Sequence, residues 1–292
     1  MRTPRPAALA GTLAGLVVTA ALAGCAPVDE STGAGSDGGG EAASCEPGDL
    51  PTLEAGTLTI ATDTPAYPPY FVDDDPTNGD GFESAVAYAV AEQLGYAPDD
   101  VTWVEVPFDN SYAPGPKRFD FDINQISITP ERERAVDFSE GYYTANQAVV
   151  VLEDDAPEIA SLDDLKGLEL GAQSGTTSLT AIREAIQPDA DPLVFRNTNA
   201  ATQALQNGQV EAIVADLPTA LFITAAQLDG GAVAGQFEYS GGEPEEFGLL
   251  LEKDSPLTPC VDEAVATLRE DGTLGDLEQE WLSESVDVPV LQ

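Results

Sequence analysis

The sequence predicts an α/β fold of two lobes, each a parallel-rich sheet flanked by helices. From residue 53 onward, segments with strand-like alternation and segments with apolar residues at helical spacing follow one another along the 292-residue chain. They form two blocks, and such alternation is typical of parallel-sheet α/β domains. A hydrophobic content of 42% is sufficient for two cores of ordinary size.

The first block begins with a strand at residues 57–61, which alternates in polarity and runs into a proline-rich loop. Apolar residues at helical spacing over residues 84–94, followed by a glycine, predict a helix. Residues 101–106 alternate again, and a further strand begins at Phe121. The last strand of the block, residues 148–152, is purely apolar, as expected where a sheet is covered on both faces.

The second block continues the pattern of strands and helices. Its predicted strands are residues 168–172, 193–195, 210–215 and 247–251. Its predicted helices are residues 175–186, 200–206, 218–228, 260–270 and 274–282. We therefore predict lobe 1 at residues 53–150, lobe 2 at residues 151–248, and a return to lobe 1 with C-terminal helices at residues 249–292.

The composition excludes several classes of function. There are 52 acidic and 11 basic residues, and a formal net charge of −41 repels phosphate backbones, so we expect no nucleic-acid partner. The chain has no histidine, which excludes Ser-His-Asp and Cys-His catalysis and the commonest zinc sites. The acid-rich segment 73–80 does not fit the calcium-binding EF-hand loop, so we expect neither a metal nor a cofactor.

Residues 1–24 have the three parts of a secretory signal peptide. Two arginines precede an uncharged, largely apolar stretch that ends in small residues, for which a minimal transmembrane anchor is the alternative. The segment runs into Leu-Ala-Gly-Cys, which resembles a bacterial lipobox and implies cleavage before Cys25 and lipidation of that cysteine. Residues 25–52, rich in glycine as far as residue 44, predict a flexible tether to a membrane.

Two cysteines remain once Cys25 is assigned to lipidation. Cys45 lies at the start of the folded region and Cys260 lies near its end. In an oxidising compartment two such cysteines usually pair, so we predict a disulfide, with two separate buried thiols as the alternative.

A Ser-Ile-Thr-Pro-Glu-Arg run at residues 127–132 is the strongest local sign of a ligand site. It places Arg132 just after a strand, where open α/β sheets bind ligands. A guanidinium there can hold a carboxylate with two hydrogen bonds. The alternative is a surface arginine paired with an acid, which is how we interpret Arg134.

Two further segments are weaker signs of a site. Gly175 to Thr177 joins a strand to a helix and offers N–H groups and a hydroxyl to an anion, although helix capping explains such junctions equally well. Asp216 ends a buried strand and can receive an ammonium or cap the next helix, and taken alone it favours the cap.

Several motifs occur in a fixed order over residues 53–285. They are Gly-Thr-Leu-Thr-Ile-Ala-Thr-Asp at 56–63, Tyr-Pro-Pro-Tyr at 67–70, Gly-Phe at 81–82, the 127–132 run, Asp-Phe-Ser at 137–139 with Tyr-Tyr at 142–143, Gly-Thr-Thr at 175–177, Ala-Asp-Leu-Pro at 215–218 and Asp-Gly-Thr-Leu at 271–274. In this order they resemble the polar-amino-acid (family 3) solute-binding proteins of ABC importers.

The resemblance implies a fold, a function and a location. The fold is a two-lobed, periplasmic-binding-protein-like clamshell of type II with the ligand between the lobes. The function is that of a receptor, not an enzyme, which delivers a polar amino acid to the permease subunits of an ABC importer. We expect a monomer, held at the outer face of the cell membrane by the lipid on Cys25.

Carried over residue by residue, the resemblance also implies a ligand set. Arg132 would bind the α-carboxylate, Asp216 the α-ammonium, and Ser127 and Thr177 the backbone atoms of the ligand. The residue types agree with this chemistry, because a zwitterion needs a fixed cation and a fixed anion on opposing walls.

The same resemblance places Tyr67 and Phe108 on either side of the ligand side chain, with Asp63 near its tip. Two departures leave the ligand's identity open. Residues 112–118 contain two prolines where the family usually has an amphipathic helix, so a regular helix is not expected. Gln125 stands where the family usually has a small residue, and we expect it to reach into the pocket.

Two other classes of function remain as alternatives. One is a dehydratase-type enzyme on the same scaffold, for which Glu83, Asp63 or Asp216 is a candidate proton donor. The other is the sensor module of a signalling protein. Asp63 and the overall negative charge favour a cationic or amide amino acid as ligand, although Asp63 serves equally well as a turn residue.

Overall fold

The computed structural model describes residues 45–46, 48–153, 158–239, 244–282 and 288–292. The predicted signal peptide, Cys25 and the tether as far as residue 44 lie outside the described residues. Among the helices of the described part, none has both the length and the apolar character needed to cross a membrane.

The described residues contain two five-stranded sheets. In chain order the strands are β1 (Leu58–Thr62), β2 (Val101–Glu105), β3 (Phe121–Asp122), β4 (Val136–Ala145), β5 (Gln147–Leu152), β6 (Leu170–Gln173), β7 (Leu193–Phe195), β8 (Ala212–Asp216), β9 (Gly231–Phe237) and β10 (Glu245–Glu252). The first sheet has the order β2-β1-β3-β10-β4 and the second has the order β7-β6-β8-β5-β9. Three neighbouring strands are parallel in each sheet, and the other pairs are antiparallel. The predicted two-lobed α/β fold is therefore confirmed.

Helices cover these sheets. They are α1 (Phe82–Gln93), α2 (Phe108–Ser111), α3 (Thr177–Ala181), α4 (Thr198–Gln206), α5 (Leu217–Phe222), α6 (Thr258–Glu270) and α7 (Thr273–Trp281). The predicted helices at 175–186 and 218–228 are present as α3 and α5, and each continues as a π-helical turn, Ile182–Ile186 and Ile223–Gln227.

Helix α1 shows how local sequence builds the first lobe. It begins after Gly81, which has a φ of 100° and lies so close to the preceding loop that a Cβ would be 2.5 Å from the carbonyl oxygen of Tyr70. Only glycine fits this approach. The apolar face of the helix buries Val86 and Val90 completely in the core that Ile60 of β1 shares.

Two strands were not predicted. β9 contains two glycines and two alanines in seven residues, a composition with low strand propensity, and it is a strand because it pairs with β5. β4 alternates imperfectly, since its pairing with β10 is interrupted by two irregularities in register. Long-range pairing decides both elements.

The chain passes from the first sheet to the second at Asn146, between β4 and β5, and β10 returns to the first sheet from Glu245. Both crossing strands thus begin before the predicted lobe boundaries at 150 and 248. They do so on polar residues, Gln147 in β5 and Glu245 in β10, which an apolar pattern does not mark. The last described residues, 288–292, lie against β9 of the second sheet, with Leu291 buried in that lobe.

The predicted disulfide is present. Cys45 and Cys260 are bonded, with their Cα atoms 5.3 Å apart across a sequence separation of 215 residues. Cys260 is buried on α6, so the bond ties the beginning of the described chain to the core of lobe 1.

Candidate functional site

The eight residues predicted to contact a ligand all line one cavity between the two lobes. Lobe 1 contributes Asp63, Tyr67, Phe108, Gln125, Ser127 and Arg132, and lobe 2 contributes Thr177 and Asp216. The cavity encloses about 990 Å³ of space not filled by protein atoms, part of it open to solvent. It lies at the carboxyl ends of the parallel strands, because the chain leaves β1, β3, β6 and β8 directly into the lining.

Arg132 is held in place by neutral groups. Its guanidinium donates from Nη1 to the carbonyl of Ser127 at 2.7 Å and from Nη2 to the carbonyl of Gly175 at 2.9 Å. The Cζ atom lies 4.8 Å from the ring centre of Tyr112 and 5.5 Å from that of Phe108. Only 7% of the residue is exposed, and burial lowers its pKa without discharging a guanidinium.

Arg132 is therefore unlike a surface arginine paired with an acid. Within the described residues it forms no ion pair with a carboxylate. A guanidinium has five N–H groups, and two of them make the bonds to Ser127 and Gly175. The other three N–H groups make no hydrogen bond within the described residues, so Arg132 can donate them to a ligand in the cavity.

Asp216 occupies the N-cap position of α5, but its side chain forms no capping hydrogen bond. Its Oδ1 accepts instead from Nε2 of Gln147 at 2.8 Å. Burial raises the pKa of Asp216 to about 8, and the negative charge of Glu245 adds to that effect. The capping interpretation, which the local sequence favours, does not describe this side chain.

Glu245 is the main residue that sequence reasoning missed. Its Oε1 accepts from the hydroxyl of Ser127 at 2.6 Å, and its Oε2 accepts from Nε2 of Gln147 at 3.0 Å. The same Gln147 amide therefore joins Glu245 to Asp216. No local signal could have found it, because its role depends on the start of β10 pairing with the end of β4, close to Gln147, in a chain with 52 acidic residues.

Polar contacts join the two lobes across the cavity. The hydroxyls of Ser127 and Thr177 are 3.2 Å apart, and Arg132 bonds Gly175 as described above. At Gly175, with a φ of 74°, a Cβ would lie 2.2 Å from Asp109 Oδ1 and from the hydroxyl of Tyr112. A side chain at this position would displace the ends of both side chains and strain the backbone, so glycine suits this contact between the lobes.

Asp63 and Tyr67, two further predicted contacts, lie at the cavity wall, and Asp63 also makes hydrogen bonds to the backbone. Asp63 accepts from its neighbour Thr64 at 2.7 Å and from the backbone N–H of Phe108 at 3.2 Å, and burial raises its pKa. It thus shapes a turn and lines the cavity at once. Tyr67 lines the same part of the cavity as Asp63. The wall that lobe 2 contributes carries amide and hydroxyl side chains that sequence reasoning did not anticipate: Gln173, Asn197, Thr198, Asn199 and Gln227.

Gln125 has a left-handed backbone, with a φ of 48°. Its backbone N–H donates to Oε1 of Glu83 at 2.7 Å, and its side-chain amide donates to Oε2 of the same carboxylate. The hydroxyl of Tyr142 also donates to Glu83. As expected, residues 112–118 form no regular helix, and Tyr112 of this segment packs edge-on against Phe108 and under Arg132.

Comparison with known proteins agrees with this architecture. Residues 58–284 match the family model described as bacterial extracellular solute-binding proteins, family 3. The L-cystine-binding protein TcyJ of Escherichia coli (strain K12) is 30% identical over 235 residues, which is 80% of this chain and 85% of that protein.

Solved structures show the same fold. An ancestral arginine-binding protein bound to arginine is 32% identical, with a TM-score of 0.65 over 78% of this chain and 99% of that one. The ancestral amino acid-binding protein AncCDT-1, a precursor of cyclohexadienyl dehydratase, is also 32% identical, with a TM-score of 0.65 over 78% of this chain and 96% of that one. Five of the motifs contribute residues to the interlobe cavity, and the chain belongs to the bacterial extracellular solute-binding proteins of family 3, whose members similar to it include amino-acid-binding proteins of ABC transporters.

Proposed function

We propose that this protein captures a free polar amino acid outside the cytoplasm and delivers it to the permease subunits of an ABC importer. The single observation that carries the proposal is a cationic and an acidic side chain that line the cavity from opposite lobes. Arg132 projects from lobe 1 and Asp216 from lobe 2, and neither is neutralised by an ion pair within the described residues.

The guanidinium of Arg132 binds the α-carboxylate of the ligand. Its position is fixed by two carbonyls and two aromatic rings, so little side-chain entropy is lost when it binds. The hydroxyls of Ser127 and Thr177, which meet across the cavity, lie where the backbone atoms of the ligand would be held.

The carboxylate of Asp216 binds the α-ammonium. In the unliganded site it lies near a second acid, Glu245, and is short of positive charge, as its raised pKa shows. An ammonium supplies that charge, so the ligand satisfies a group that the protein itself leaves uncompensated.

The far end of the cavity favours a side chain rich in hydrogen-bond donors. Asp63 and the side-chain carbonyl of Gln125 are the acceptors in the lining there, whereas the amide oxygens of Asn197 and Asn199 already accept from the backbone N–H of Ala200 and from Nε2 of Gln227. Relatives are named as binding cystine and arginine; the far end of arginine is a guanidinium, and that of cystine carries an ammonium beside a carboxylate. We infer a cationic or amide amino acid, or a diamino acid such as cystine.

Delivery requires the protein to stay near its permease. We infer that residues 1–24 are removed, that Cys25 carries the lipid, and that residues 25–52 tether a monomeric receptor to the outer face of the membrane. Mass spectrometry of the N-terminal peptide from a bacterial membrane fraction tests this inference, because lipidation adds the mass of acyl chains to Cys25.

The experiment for the function as a whole is a thermal-shift screen of the twenty amino acids and cystine, followed by calorimetry on each ligand found. We expect one-to-one binding of at least one polar amino acid without turnover. Conversion of a cyclic prechorismate-type acid would favour the dehydratase alternative, to which the relation with AncCDT-1 gives some weight. A protein that binds none of these compounds would refute the proposal.

A further inference from the structure

Glu83 is a buried acid that the proposed binding of a zwitterion does not use. None of its surface is exposed, and it does not line the cavity. Within the described part of the chain it makes no ion pair. An acid buried without a cation is costly unless donors surround it, and all of the donors here come from Gln125 and Tyr142.

The two oxygens of Glu83 have different tasks. Oε1 accepts from the backbone N–H of Gln125 at 2.7 Å and from the hydroxyl of Tyr142, whereas Oε2 accepts from Nε2 of Gln125. An ionised carboxylate only accepts hydrogen bonds. The NH₂ end of the Gln125 amide must therefore face Glu83, and its carbonyl end must face away.

The backbone of Gln125 holds this arrangement in place. A left-handed φ of 48° is uncommon for a residue other than glycine, and the bond from its N–H to Glu83 stabilises it. The side chain lines the cavity, and no described residue donates to its Oε1. A fixed amide thus offers an acceptor to whatever lies in the cavity.

We propose that Glu83 is a positioning residue that fixes the polarity of the Gln125 amide, so that the site selects ligands whose side chains end in a hydrogen-bond donor. Ammonium, guanidinium and carboxamide groups satisfy the Gln125 carbonyl, and a carboxylate does not. This inference rests on the proposed function, since it concerns the side chain of the same amino-acid ligand.

Glu83→Gln is the sharpest test, because it replaces one carboxylate oxygen by an NH₂ group and leaves the rest of the side chain unchanged. Gln at position 83 keeps an oxygen for the Gln125 backbone N–H and for Tyr142, but it presents an NH₂ group in place of Oε2. The Gln125 amide then turns its carbonyl towards residue 83 and its NH₂ towards the cavity. The polarity that the ligand meets is inverted with little change in shape or packing.

The measurement is calorimetry near pH 8, where Glu83 is mostly ionised, since burial raises its pKa to about 7. The probes are the tightest donor-bearing ligand found among glutamine, arginine, lysine and cystine, and glutamate as the acidic competitor. We expect Glu83→Gln to weaken the donor-bearing ligand by about tenfold, the effect of replacing a hydrogen bond by opposed donors. Glutamate should weaken little or improve.

Gln125→Ala supplies the matched background. If Glu83 acts through Gln125, Glu83→Gln should change the affinity less than about twofold once Gln125 is alanine. Melting temperatures of all variants report any general loss of folding.

The outcomes separate this inference from the function on which it rests. An equal loss in both backgrounds, or no loss in either, would overturn the role of Glu83 while leaving a working amino-acid receptor. Glutamate as the tightest wild-type ligand would overturn the selectivity. A wild-type protein that binds no amino acid would overturn the proposed function itself.

Discussion

The two lobes carry opposite charges at equivalent places in their sheets. β3 and β8 each flank the central parallel strand of their sheet, β1 in lobe 1 and β6 in lobe 2. The chain that leaves β3 reaches Arg132, and β8 itself ends at Asp216. A zwitterion that touches both residues must therefore bridge the lobes, which explains why ligand binding and closure belong together in such a protein.

The lobes also hold their charges differently. Arg132 is fixed by carbonyl groups and aromatic rings, so its charge is not neutralised by an acid of the described residues. Asp216 shares the amide of Gln147 with Glu245, so a second negative charge opposes its ionisation. Lobe 1 thus presents a ready cation, and lobe 2 presents an acid that ionises fully only when a cation arrives.

Removing the cation of lobe 1 should have the largest effect. We expect Arg132→Ala to weaken binding of the amino acid by about a thousandfold or more, because the ligand carboxylate would be buried without its partner. Arg134→Ala is the matched control, two residues along in an exposed position, and should change affinity less than about twofold. Calorimetry on both variants makes the comparison, and similar affinities would contradict the role of Arg132.

Neutralising the anion of lobe 2 should have the next largest effect. Asp216→Asn preserves shape and capping ability, and the Asp216 side chain makes no capping hydrogen bond that could be lost. We expect the affinity to fall by about a hundredfold to a thousandfold, since a buried ammonium would lack its counter-charge. An affinity within a few-fold of the wild type, with an unchanged melting temperature, would show that Asp216 does not receive an ammonium.

The disulfide sharpens the comparison, because it belongs to lobe 1 alone. Replacing Cys45 and Cys260 together by alanine should lower the free energy of unfolding by about 2–5 kcal/mol, as expected for a bond that closes a 215-residue loop. Neither cysteine lines the cavity, so ligand affinity should stay within about threefold. Thermal unfolding and calorimetry measure the two quantities, and a large loss of affinity with little loss of stability would contradict this separation.

Much of the fold followed from sequence because its signals are local. Alternation and apolar runs identified β1, β2 and β5, and helical spacing identified α1, α4, α6 and α7. β9 was missed because its small residues have little strand propensity of their own, and the pairing with β5 that makes it a strand is distant in sequence.

The site divides in the same way. Eight residues of the cavity lining were predicted from the resemblance to the family, whereas the amide and hydroxyl side chains of the lobe 2 wall and the residues behind the lining were not. Glu245 and Gln147 meet near Asp216 only because β10 begins opposite the end of β4 and β5 begins opposite the end of β8. Glu83 meets Gln125 only because α1 packs beneath the loop after β3. Such contacts depend on the tertiary structure, and no spacing in the sequence marks them.

The central claim is that Asp216 receives the ammonium of the ligand, and the number of protons released on binding tests it most directly. Near pH 7 the carboxyl of Asp216 is mostly protonated before the ligand binds, because burial raises its pKa to about 8. An ammonium beside Asp216 favours the ionised form and lowers that pKa, so binding must release the proton. Calorimetry in two buffers of different ionisation enthalpy measures the release. The account predicts about one proton per ligand for the wild type and close to none for Asp216→Asn, and no release by the wild type, or an equal release by both, would contradict it.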